Sequence, residues 1–149
     1  MAQSSAVAQS PSTTLDAAAV LDCLKRLGTT HIVWLPDSES AALYDLIRRD
    51  PDVALVQVCR EGESFAVAAG LFVAGRKPVV VIQSTGFFES GDSIRGIALW
   101  LRLPLLLLIG YRGWQADGQP DDTAAQFLEP VLDAWRIKHT TVRSTADVD

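Results

Sequence analysis

The stretch Val56-Gln-Val-Cys-Arg-Glu-Gly-Glu-Ser-Phe-Ala-Val-Ala-Ala-Gly70 decides how this chain is read. Residues 53–58 are rich in Val and predict a buried strand, while the small and apolar run behind Glu61 predicts a helix over 61–74. A strand that passes directly into a helix puts the Glu61 carboxylate at the C-terminal rim of a parallel sheet, where open α/β folds bind ligands. Backed by Ser64 to Gly70, such a carboxylate loses hydration, so its protonated form is favoured and it exchanges protons near neutral pH. A plainer reading fits the same residues. Glu61 and Glu63 in a first helical turn simply suit the helix dipole.

Outward from this junction the same alternation repeats. On the N-terminal side, Thr14 caps a helix over 15–27 that stops at Gly28, and 31–35 is a β-branched and aromatic strand ended by Pro36. Asp37 or Ser38 opens a helix to about Arg49, and Asp50-Pro51-Asp52 turns the chain into the strand 53–58. On the C-terminal side, 78–83 is another buried strand, Ser84-Thr85-Gly86 a tight loop, and the residues to about Arg102 a helical stretch. Residues 105–109 read as a central strand buried on both faces, followed by a polar loop to Asp122. Asp122 or Thr123 opens a last helix through Trp135, and 138–142 reads as a fifth strand. The expected fold is one α/β domain over 14–149, a three-layer αβα sandwich with a mainly parallel sheet and right-handed crossovers.

Residues 1–13 are rich in Ser, Ala and Gln and read as a disordered tail. Ser144-Thr-Ala-Asp-Val-Asp149 reads as a cap and first acidic helical turn, so the terminus either frays or leads into a further helix.

Composition narrows the classes. Of the 149 residues, 48% are hydrophobic and 21% charged, as in an ordinary globular chain. A net charge of −5 without clustered Lys or Arg disfavours nucleic acid and anionic membranes as partners. No apolar run approaches the ~20 residues of a spanning helix. Two cysteines, Cys23 and Cys59, are too few for a disulfide framework or metal site and read as buried free thiols of a cytoplasmic protein.

Several chemistries lack their motifs. There is no Gly-x-Gly-x-x-Gly after the first strand, no Gly-x-x-x-x-Gly-Lys-Ser/Thr and no Gly-x-Ser-x-Gly. His31 and His139 both fall on predicted strand starts, which suits structural residues better than bases. Four βα junctions do place polar groups on one rim: Pro36-Asp37-Ser38, Arg60-Glu61-Gly62, Gln83-Ser84-Thr85-Gly86 and Gly110-Tyr111-Arg112-Gly113. Each alone is accounted for by capping and turn chemistry; together they describe a ligand rim.

Glu61-Gly62-Glu63-Ser64-Phe65-Ala66-Val67-Ala68-Ala69-Gly70 resembles the pyrimidine-binding domain of thiamine-diphosphate-dependent enzymes, in which a Glu precedes the Gly of an Ala-Ala-Gly segment at the spacing of Glu61 and Gly70. Glu63 does not keep that spacing. The subgroup that it resembles most is the small sulfopyruvate and phosphonopyruvate decarboxylases. The likeness is carried by Pro36-Asp37-Ser38, Gly75-Arg76-Lys77-Pro78, Gln83 and Arg112-Gly113, and it extends over about residues 14 to 142.

The resemblance implies a lyase that decarboxylates a 2-oxo acid with thiamine diphosphate and Mg2+. Glu61 would contact N1′ of the cofactor aminopyrimidine and promote its imino tautomer, which takes the proton from the thiazolium C2. Gln83, Thr85 and Gly86 would line the cofactor, Asp37 and Ser38 would face substrate, and Arg112 would hold an anionic tail or else bond backbone carbonyls. Two departures stand out. Where the relatives follow their Gln with Asn-Ser-Gly-Leu-Gly-Asn, this chain has Ser84-Thr85-Gly86-Phe87-Phe88-Glu89, which either alters the substrate or packs core and interface. The Gly-Asp-Gly…Asn signature for Mg2+ and diphosphate is also missing, and Gly91-Asp92-Ser93 does not replace it.

The expected function is therefore the pyrimidine-binding subunit of a split enzyme. A diphosphate-binding partner subunit would complete it as a hetero-oligomer with at least two of each chain. A non-catalytic binding or regulatory module on the same fold is the alternative, and an unrelated flavodoxin-like domain is a weaker one.

Overall fold

The computed structural model describes residues 15–37 and 40–148. Thr14, Ser38 and the tail 1–13 lie outside the described residues. Helix α1, Ala17–Arg26, is capped by Asp16, whose carboxylate accepts the Ala18 N–H at 2.9 Å. It ends at Gly28, whose φ of +80° is the left-handed turn the sequence anticipates there.

The remaining elements alternate. They are β1 His31–Trp34, α2 Ala41–Ile47, β2 Ala54–Gln57, α3 Glu61–Val73, β3 Pro78–Gln83 and α4 Ser84–Glu89. A single turn, α5 Gly91–Ser93, runs into a π-helix at Ile94–Leu99; then come β4 Leu106–Gly110, α6 Thr123–Ala134 and a 3₁₀ turn at Thr145–Asp147.

All strand pairs are parallel and the order is β2-β1-β3-β4. The chain moves outward from β1 to β2, then crosses back over β1 to β3. The switch point of the sheet is thus between β1 and β3, and its crevice opens beyond Trp34 and Gln83.

Strand alternation builds two cores. Ile32, Trp34, Val79 and Val81 face α1 and α2 with Leu24, Leu43 and Ile47. Val33, Val80 and Ile82 face the other layer with Phe65 and Ala68 of α3, Phe87 of α4 and Leu128 of α6. This is the three-layer αβα sandwich that the sequence predicts.

Four expectations are corrected. Residues 138–142 form no strand: α6 ends at Ala134, Arg136 just beyond it has a φ of +58°, and no strand of the described residues pairs with the segment that follows. Without a neighbouring backbone to take its hydrogen bonds, an extended segment does not become a ladder. Consequently β4 is an edge strand rather than a central one, and Leu106 is 45% exposed. Ser84-Thr85-Gly86 is the first turn of α4, not a loop. Finally, Cys59 is exposed and Cys23 half-buried, so neither is a buried thiol.

Other details follow the reading. His31 opens β1, its Nδ1 lying 2.8 Å from Thr30 Oγ1, and Ser144 and Asp147 form the cap foreseen at the end of the chain. Among the described residues no helix is long and apolar enough to cross a membrane.

Candidate functional site

The C-terminal ends of the four strands carry the rim residues. After β1, the Asp37 carboxylate accepts the Ser40 N–H at 3.0 Å and so shapes the entry to α2. Ser40, which the sequence reading passed over, brings its Oγ to within 3.9 Å of the site of a Cβ on Gly110 at the end of β4.

Glu61 is the first residue of α3 and is half-buried. Its side chain lies against Gly86: a Cβ there would sit 2.5 Å from Glu61 Cγ, 3.0 Å from Glu61 Oε1 and 3.0 Å from Ile82 Cγ1. Only glycine admits Glu61 at this position. Beside it, Gln83 ends β3, and its Oε1 accepts the Thr85 hydroxyl at 2.6 Å. Glu61, Gln83, Thr85 and Gly86 thus come together on one side of the switch point, as the sequence groups them.

The two glutamates of α3 have separate roles. Glu63 folds back, its Oε2 accepting the Cys59 N–H at 3.1 Å, and so ties the first turn of α3 to the backbone before it. Arg60, at the N-cap position, offers α3 no side-chain cap. The missing acceptor comes from α4, where Glu89 Oε2 accepts the Gly62 N–H at 3.1 Å and Oε1 accepts from Arg60 Nε. That Arg60 hydrogen bond, helped by the Gly62 N–H, holds the Glu89 carboxyl below the usual carboxylate range. Sequence reasoning grouped Glu89 with the altered 87–89 loop. Its acceptor role depends on which α3 amides face α4, and no local pattern reveals that.

The two rings beside Glu89 separate. Phe87 is fully buried, with its ring centroid 5.8 Å from that of Trp135 and 6.0 Å from that of Phe88. Phe88 is half-buried and, with Thr85, Thr123, Phe127 and Val131, lines a concavity of about 330 Å3 between α4 and α6.

Arg112 lies farther along the rim. Its Nε donates to Asp122 Oδ2 at 2.9 Å, while Asp122 Oδ1 accepts the Ala124 N–H at 2.8 Å as the cap of α6. Arg112 is therefore tied to the start of α6. A larger concavity, about 740 Å3, runs along the outer edge of β2 past Thr30, His31 and Arg76, and none of the rim residues lines it. Carboxylate, amide and hydroxyl groups gather instead at the rim by the switch point.

This donor set suits one end of a thiamine-type cofactor and not the other. A half-exposed carboxylate beside a bare glycine suits a flat nitrogen heterocycle that needs a proton partner. The described residues contain no group of three or more His, Cys, Asp or Glu able to hold a metal ion, and the sequence lacks the Gly-Asp-Gly…Asn signature that holds Mg2+ and diphosphate in the family it resembles.

Comparison with known proteins identifies the family. The family of thiamine pyrophosphate enzymes, N-terminal TPP binding domain, matches residues 16–126. The sulfopyruvate decarboxylase subunit alpha of Methanocaldococcus jannaschii is 28% identical over 120 residues, covering 80% of this chain and 71% of the relative. The phosphonopyruvate decarboxylase of Streptomyces viridochromogenes is 27% identical over 137 residues, 89% of this chain but 34% of the relative. An X-ray structure described as a candidate thiamin diphosphate-dependent enzyme from Mycobacterium smegmatis superposes with a TM-score of 0.56 at 24% identity, over 66% of this chain and 19% of that one. This last likeness speaks for the fold.

Proposed function

Because the chain belongs to the thiamine pyrophosphate enzyme N-terminal TPP-binding domain family, we propose that it is the pyrimidine-binding subunit of a split 2-oxo acid decarboxylase. It would be a carbon–carbon lyase active only with a partner subunit. The observation that carries this reading is the seating of Glu61 against Gly86 at the switch-point rim. Thiamine diphosphate, when bound, supplies the electron sink that makes loss of CO2 from a 2-oxo acid possible.

The chain's own residues have limited tasks. Glu61 holds or releases a proton at the ring nitrogen N1′ of the aminopyrimidine, and its attachment to the first turn of α3 fixes that contact. Gln83, oriented by Thr85, and the bare backbone at Gly86 bound the flat ring. Asp37 and Arg112 are the substrate-side residues proposed among those described, with Ser38, which lies outside the described residues, proposed from the sequence alone. Sulfopyruvate and phosphonopyruvate, named for the relatives, both carry an anionic tail, and a similar small 2-oxo acid is the substrate class proposed. For Arg112 to hold such a tail, its guanidinium has to serve the tail alongside Asp122.

The partner subunit would hold Mg2+ and the diphosphate, since the Gly-Asp-Gly…Asn signature for them is missing from this sequence. The active site then forms between chains, in a hetero-oligomer with at least two of each. Titration calorimetry with thiamine diphosphate and Mg2+ tests the reading. Binding is expected to be weak for this chain alone and tight once a diphosphate-binding partner is added. Tight binding and turnover by the isolated chain would contradict it, and no binding with the true partner would leave a non-catalytic module.

A further inference from the structure

We infer that Glu89 is the positioning residue for Glu61, acting through the side chain of Arg60 and the backbone N–H of Gly62, the two residues that flank it. The inference rests on the role proposed above for Glu61. One carboxylate of α4 reaches Arg60 on one side of Glu61 and Gly62 on the other. The same turn of α4 presents Gly86, three residues earlier, to the Glu61 side chain. Glu89 and Gly86 thus grip the first turn of α3 from a single helical turn, one fixing the backbone and the other leaving space for the side chain. Packing holds the pair in register: a Cβ on Gly62 would lie 3.0 Å from Ser93 Oγ and 3.5 Å from Glu89 Oε2.

Two features favour positioning over stability. The Arg60 side chain is 76% exposed and that of Glu89 33% exposed, and ion pairs so open to water contribute little to folding. Glu89 holds the Gly62 N–H of the first turn, one residue from Glu61, so it bears directly on where α3 begins. The Arg60 contact keeps Glu89 ionised, and therefore acceptor-only, at neutral pH. A misplacement of a reacting group by about 1 Å can cost about 100-fold in rate. The backbone bearing Glu61 is where that error would enter.

The test pairs two readouts on Glu89→Ala and Glu89→Gln. In the isolated full chain, amide hydrogen exchange at residues 62–64 is expected to rise about tenfold in Glu89→Ala, with the β3 amides unchanged. In the enzyme assembled with its partner, exchange of the cofactor C2 proton is expected to slow about 10- to 100-fold, while cofactor affinity changes by less than about threefold. Glu89→Gln, which keeps an acceptor for Gly62, is expected to restore most of both. In a Glu61→Gln background, Glu89→Ala is expected to cost nothing more, because the two act as one unit. Faster amide exchange with wild-type C2 exchange would make Glu89 a helix cap only and overturn the inference, as would unchanged amide exchange. Wild-type C2 exchange in Glu61→Gln would remove the role of Glu61 itself. Slow exchange there, with wild-type exchange in Glu89→Ala, would remove the inference alone.

Discussion

Glu61 occupies the volume that a side chain on Gly86 would need: the missing Cβ would fall 2.5 Å from Glu61 Cγ. Gly86→Ala is therefore expected to displace Glu61 while leaving the fold intact. The Glu61 side chain can rotate away, but buried Ile82 Cγ1, 3.0 Å from the added methyl, cannot move as freely. Overpacking of this kind costs about 1–3 kcal/mol. Thermal denaturation should show that modest loss, and turnover with the partner subunit should fall far more, by about 100-fold.

Phe87 is a core residue, and its substitution should read as one. Phe87→Ala should destabilise by about 3–5 kcal/mol, in the range for large-to-small changes at buried aromatic sites, because its ring is fully buried against Trp135. Phe88→Ala, at the half-buried wall of the concavity beside Phe127, should cost much less. Urea denaturation of the two variants checks the order, and a larger loss for Phe88→Ala would contradict the packing described.

Gly113 should resist substitution for a backbone reason. Its φ is +77°, and a Cβ would meet the Asp122 backbone N at 2.8 Å as well as Asp122 Cβ. Gly113→Ala is expected to cost about 1–3 kcal/mol and to loosen the cap of α6. Faster amide exchange at Ala124 would report it.

Stability should fall on the acid side. The Ala124 N–H and then Arg112 hold the Asp122 carboxyl below its ordinary range, and the N–H groups of Arg143 and Ser144 do the same for Asp147. A folded-state pKa below the unfolded value gives stability that is present above the unfolded pKa and lost as pH drops through the folded one. With unfolded carboxyls near pH 4, urea midpoints should be flat from about pH 5 to 8 and decline below about pH 4. Asp122→Asn should make that decline shallower. These carboxyls are exposed, so the effect of each is modest.

Much of the fold was legible because its signals are local. Gly28, Asp122 and the apolar run Val79 to Ile82 act through their immediate neighbours, and the elements they mark formed, although the first helix is capped by Asp16 and begins at Ala17, later than the 15–27 expected. The errors lie where a distant partner decides. Residues 138–142 have strand-like chemistry but no backbone to pair with, and Leu106 is exposed because β4 is the last strand of the sheet. Ser84-Thr85-Gly86 has turn composition, yet it is helical and needs its glycine for Glu61. The rim set of Glu61, Gln83, Thr85 and Gly86 was readable from the βα junctions. The bond from Glu89 to Gly62 was not, since it joins residues 27 apart in the chain.

Glu61 is proposed as the proton partner of the cofactor ring. The direct measurement is NMR of cofactor C2 proton exchange in the assembled enzyme, comparing wild type with Glu61→Gln and Glu63→Gln. Glu63 accepts the Cys59 N–H, a bond that a Gln can also make, so Glu63→Gln should exchange at the wild-type rate. Glu61→Gln should be slowed by about 100-fold or more, with fold and assembly retained. Equal rates in wild type and Glu61→Gln would contradict the central claim.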